Sequence, residues 1–70
     1  MAAYYTPEIE HKTTALIQRR FHVSEERAQR LAVAALNGIE SHGGNPNNWD
    51  TVVETVTVVV ASWIQSEYLL

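Results

Sequence analysis

Thr51-Val52-Val53-Glu54-Thr55-Val56-Thr57-Val58-Val59-Val60 is the stretch whose conformation sets the fold class. Nine of these ten residues are β-branched, and such side chains favour strands. Their spacing predicts a helix instead. Trp49, Val52, Val53, Val56, Val59, Val60, Trp63 and Ile64 share one face at helical period, so both indoles point the same way, toward a core. Asp50, Thr51, Glu54, Thr55, Ala61, Ser62, Gln65 and Ser66 share the other face. Strict alternation fails at Val52-Val53 and across Val58-Val59-Val60. A strand also needs a partner, and only Ala2-Ala3-Tyr4-Tyr5 offers one. Magnitudes favour the helix: a Val or Thr costs ~0.5 kcal/mol in helix propensity, whereas burying a Val gains ~1.5 kcal/mol. Thr51 with Glu54 fits a capping box. The expectation is a helix over about 49–66, with the strand as its competitor.

Working outward, Gly43-Gly44-Asn45-Pro46-Asn47-Asn48 is a run of turn formers and predicts a loop over 43–48. Before it, Ser24 followed by Glu25 and Glu26 reads as a helix start. The stripe Ala28, Leu31, Ala32, Ala35, Leu36 and Ile39 continues past Asn37-Gly38, which places the stop near Gly43 and predicts a helix over about 24–41. Thr6-Pro7-Glu8 supplies a cap, a first-turn proline and an acid at the positive helix end. With Ile9, Thr13, Leu16, Ile17 and Phe21 at spacings of three and four, it predicts a helix over about 7–21 after an arm of residues 1–5. The fold class is therefore all-α, a single compact three-helix bundle. A 70-residue bundle with a core rich in Ala and Val is marginal alone, so association as a homodimer is expected.

Composition narrows the functions. There is no cysteine, which excludes disulfides and thiol chemistry, and the net charge of −3 argues against general attraction to nucleic acid or anionic lipid. Met1–Thr6 lacks a secretory pattern, and Val52–Ile64 is too short and interrupted for a membrane span, so a soluble, cytoplasmic protein is expected. His11, His22 and His42 lie on different segments with no metal-ligand spacing, and no metal or cofactor is expected. Ser41, His42 and Asp50 offer the residue types of a catalytic trio without a nucleophile elbow, so no enzyme activity is expected.

Charge is unevenly placed. Residues 11–30 hold all five bases, Lys12, Arg19, Arg20, Arg27 and Arg30, whereas residues 31–70 hold four acids and no base. Local pairs of Glu8 with Lys12 and Glu26 with Arg30 are expected from i,i+4 spacing. Around this turn, Ile17-Gln18-Arg19-Arg20-Phe21-His22-Val23-Ser24-Glu25-Glu26-Arg27-Ala28-Gln29-Arg30-Leu31 resembles the helix-turn-helix family of DNA-binding units. The resemblance covers some 20 residues. It lies in an apolar helix end, a turn, a Val-Ser pair and a polar helix start. His22 stands where the family has glycine, and Gln18 where it has a small residue. The resemblance implies that Ser24, Glu25, Arg27 and Arg30 face the major groove or its phosphates, in a dimer.

The apolar surface gives the preferred expectation. Val33 lies opposite the stripe of the second helix and Val58 opposite that of the third. Trp63 sits mid-stripe and is expected in the core, whereas Trp49 borders the polar loop. Tyr4, Tyr5, Tyr68, Leu69 and Leu70 are expected to pack on the core or on another chain. The chain reads as a non-catalytic interaction module: a regulator, adaptor or inhibitor that occupies a surface of a larger protein. The expected partner-binding residues are Arg19, Arg20, Arg27, Arg30, Val33, Val58 and Trp49. The expected partners are a second copy and a protein with an acidic surface.

Overall fold

The structure, a computed structural model, describes residues 5–69. Helix α1 spans Pro7–Phe21 and α2 spans Glu25–Ser41. Helix α3 runs without a break through Trp49–Thr55, a π-helical turn at Val56–Val60, and Ala61–Leu69. No strand occurs among the described residues. The β-branched run is thus helical, as its spacing requires, and α3 extends beyond residue 66.

Each helix start is satisfied by a side-chain oxygen. Thr6 Oγ1 accepts from the Ile9 amide at 3.2 Å, and Ser24 Oγ accepts from the Arg27 amide at 3.2 Å. The third cap is Asn48, whose Oδ1 accepts from the Thr51 amide at 3.3 Å. Thr51 therefore lies inside the helix, and the capping box expected from Thr51 and Glu54 does not form; an Asn three residues upstream offers the same acceptor and lets Trp49 join the helix.

Buried Ile9, Ile17, Ala28, Ala32, Ala35, Leu36, Ile39, Val52, Val56 and Val60 form the core. Thr13 is fully buried among them, and its hydroxyl donates to the Ile9 carbonyl at 2.7 Å, so no buried side-chain polar atom is orphaned among the described residues. Tyr5 packs against this core; burial first, and the Glu10 carboxylate second, hold its phenol above the ordinary value of 10.0.

The π turn explains why α3 departs from the expected face. Val52, Val56, Val60 and Ile64 recur at strict intervals of four. At 3.6 residues per turn, each such step drifts ~40° around an α-helix. A π turn bonds i to i+5 and holds an extra residue, which takes back part of that drift. Val52, Val56 and Val60 are consequently all at 0% exposure, with half-buried Ile64 packed against them. The same rotation moves Val59 and Trp63 off the core row, to 36% and 37% exposure. Trp63 is thus not a core residue, and the two indoles do not share a face.

The loop is fixed at both ends. Gly43 adopts φ +85, and the amides of Gly43 and Gly44 donate to the Glu40 and Ile39 carbonyls at 3.1 and 2.9 Å. A Cβ on Gly44 would stand 2.8 Å from Ile39 Cγ2, so any larger residue there forces Ile39 to shift. Pro46 is buried, and Asn47 Oδ1 accepts from the Thr6 amide at 3.0 Å, which ties the loop to the start of α1.

Candidate functional site

Two surfaces stand out, one on each flank of α3's core row. The first is an apolar groove between α2 and α3, lined by Ala35, Gly38, Ile39, His42, Thr55, Val59 and Trp63. α2 and α3 run antiparallel here. Arg27 in the first turn of α2 pairs with Glu67 near the end of α3, beyond the groove. His42 lines the groove at the end of α2; its Nδ1 lies 2.8 Å from the Gly38 carbonyl, a contact in which Nδ1 carries the proton. The floor is open because of Gly38. A Cβ built there meets nothing within 4 Å, and its backbone is ordinary right-handed helix. Glycine inside a helix costs about 1 kcal/mol relative to alanine. No neighbouring atom among the described residues needs the space that a Cβ would take. Beside the groove, Val58 is 64% exposed, the most exposed large apolar side chain among the described residues.

The second surface lies on the α1 side. Lys12, Ala15, Gln18 and Arg19 of α1 and Trp49 of α3 line an open depression of about 430 Å³. The Lys12 ammonium sits 4.3 Å from the centre of the Trp49 ring. Lys12 is therefore turned toward the indole, and the ion pair expected with Glu8 does not form.

The expected basic residues do not form one face. Arg30 pairs with Glu26 at 3.0 Å, as its spacing requires. Arg27 turns to Glu67, and Arg20 donates from Nη1 to Thr57 Oγ1 at 2.6 Å across the α1–α3 contact. Among the described residues, Arg19 and Lys12 have no carboxylate partner. Val33 is half-buried and shares a shallow outward depression of α2 with Glu26, Gln29, Arg30, Ala34 and Asn37. Tyr4, Leu70 and the side chains of Tyr68 and Leu69 lie outside the described residues.

At the α1–α2 turn, His22 takes φ 56, ψ 43, the left-handed conformation, with its amide donating to the Gln18 carbonyl at 3.0 Å. It is the position at which the helix-turn-helix family has glycine, and here histidine fills the same backbone role. Ser24 is committed to its cap and Glu25 is exposed. Among the described residues, no group of three or more His, Asp or Glu could hold a metal ion, and no helix is long and apolar enough to cross a membrane. Ser41 and His42 end α2 while Asp50 lies in the first turn of α3.

Compared with family models, curated proteins and solved structures, the chain matches none. Reading from the sequence missed Gly38 as the floor of a groove and Lys12 as the partner of Trp49. The legible signal for the first was a helical glycine inside an unbroken apolar stripe.

Proposed function

We propose that this chain is a small, non-catalytic interaction module that forms a homodimer through the α2–α3 face and acts by occupying a surface of a larger protein. The groove floored by Gly38 and flanked by exposed Val58, Val59 and Trp63 carries this reading. The face has both protruding apolar side chains and a place to receive one, which is what a two-fold axis needs to pair a surface with itself. Ala34, Asn37, Ser41 and Ser62 are exposed and uncharged beside it, so two copies meet with little like-charge repulsion. Its size suits the role: the 17 residues of α2 give a length of ~25 Å. Two helices side by side give a width of ~20 Å. Once side-chain relief is included, that footprint is of the order of the ~800 Å² that each partner buries in a standard interface.

The test is Gly38→Leu. A Cβ there meets nothing within 4 Å, so helicity and cooperative unfolding should be no lower than the parent's while self-association weakens at least tenfold. A Gly38→Leu protein that associates as the parent does would refute the reading.

The left-handed His22 favours a second reading, a dimeric helix-turn-helix DNA binder using the turn around residues 17–31. Arg27 and Arg30 would then have to leave Glu67 and Glu26 for phosphates. Fluorescence anisotropy with mixed-sequence duplex DNA at low salt tests it: salt-sensitive binding lost in Arg30→Ala supports it, and no binding removes it.

A further inference from the structure

We propose that the depression between α1 and the start of α3 is a docking site for an acidic segment of a partner protein, distinct from the dimer face. Three observations converge on it. First, of the five bases, Arg27 and Arg30 are paired with carboxylates and Arg20 is bonded to Thr57, whereas Lys12 and Arg19 have no carboxylate partner among the described residues. Second, those two cations line the same depression, seven residues apart on one helix, which separates their stems by ~10 Å along the axis. Third, the rest of the lining is Ala15, Gln18 and the half-buried Trp49 ring, which lies under the Lys12 ammonium at 4.3 Å and gives the depression an apolar floor.

Two cations without a carboxylate partner, beside an apolar floor, recognise two carboxylates with an apolar side chain between. In an extended segment, acids four residues apart lie ~13 Å from each other on one side of the strand, with the residue midway on the same side. Long Lys and Arg side chains span the small difference. The favoured ligand is therefore an extended segment of the pattern acid–x–apolar–x–acid. Duplex DNA fits less well. Two cations without a carboxylate partner neutralise too few phosphates to hold a duplex.

The experiment uses the full chain carrying Trp63→Phe, so that Trp49 is the sole indole. The probe is a short peptide containing Glu-Ser-Leu-Ser-Glu, titrated at low salt while Trp49 emission is read; a peptide with lysine in place of glutamate and a mixed-sequence DNA duplex are run beside it. A saturable change in emission with the acidic peptide is expected, weakened at least tenfold by Lys12→Glu with Arg19→Glu and unchanged by Arg30→Ala. Lys12 and Arg19 are exposed, and circular dichroism checks that the doubly reversed variant is folded. No change in emission, equal binding of the lysine peptide, undiminished affinity in the reversed variant, or tighter binding of the duplex would each overturn the proposal. None of these outcomes bears on the dimer, which uses the opposite flank of α3.

Discussion

Arg20 of α1 donates a hydrogen bond to Thr57 of α3 at 2.6 Å, and the Thr57 hydroxyl in turn donates to the Val53 carbonyl at 2.8 Å. This pair fastens the end of α1 to the π turn. A threonine hydroxyl that returns to the carbonyl four residues back competes with the regular helix ladder and bends it. Here that hydroxyl sits inside the turn that keeps Val52, Val56 and Val60 in one row.

Removing one residue from that turn should leave the fold intact. Deletion of Val58 changes the core spacing from four-four-four to four-three-four, the interval of an ordinary α-helical stripe. The shortened chain should keep its helicity and unfold cooperatively at a thermal midpoint no lower than the parent's. Loss of the cooperative transition, followed by circular dichroism, would contradict the role given to the π turn.

His22 should be a site where the sequence is not optimal for stability. A non-glycine residue in the left-handed region costs on the order of 1 kcal/mol. His22→Gly should raise stability by about that amount, and His22→Val should lower it, since a β-branched residue tolerates φ 56 least. Urea unfolding midpoints decide the sign.

Gly38 and Gly44 should respond oppositely to alanine. Gly38→Ala enters open space in a helix and should stabilise the isolated chain by up to about 1 kcal/mol. Gly44→Ala drives a methyl against Ile39 at 2.8 Å and should destabilise by about 1–3 kcal/mol, the usual cost of overpacking. Both are read from chemical denaturation at concentrations too low for association.

Leu36 is fully buried, and a core of this size has little reserve. Leu36→Ala should cost about 2–5 kcal/mol. For a small bundle, that approaches the whole stability, so the variant should lose its cooperative melt and most of its helicity at 37 °C.

Much of the bundle was legible in the sequence because its signals agree. Thr6 and Ser24 occur where capping chemistry needs them, and the apolar spacing of Ile9, Thr13 and Ile17 matches their burial. At Val52–Val60 propensity and period disagree, and period wins because burial outweighs propensity. What escaped is rotation. A fixed 3.6-residue period does not register that Val52, Val56, Val60 and Ile64 stand four apart, so it places Trp63 and Val59 on the core face, whereas the π turn carries them to a groove wall. The basic cluster escaped for a different reason. Charges adjacent in sequence choose partners through tertiary contacts, as Arg27 does with Glu67 and Lys12 with Trp49.

The solution mass tests the proposed assembly most directly. Sedimentation equilibrium at rising concentration should give a species of twice the 7.9 kDa chain mass, and Val58→Asp should return it to 7.9 kDa with helicity preserved. A parent chain that stays at 7.9 kDa across the range, or a Val58→Asp chain that sediments as the parent does, would contradict the α2–α3 face as the dimer contact.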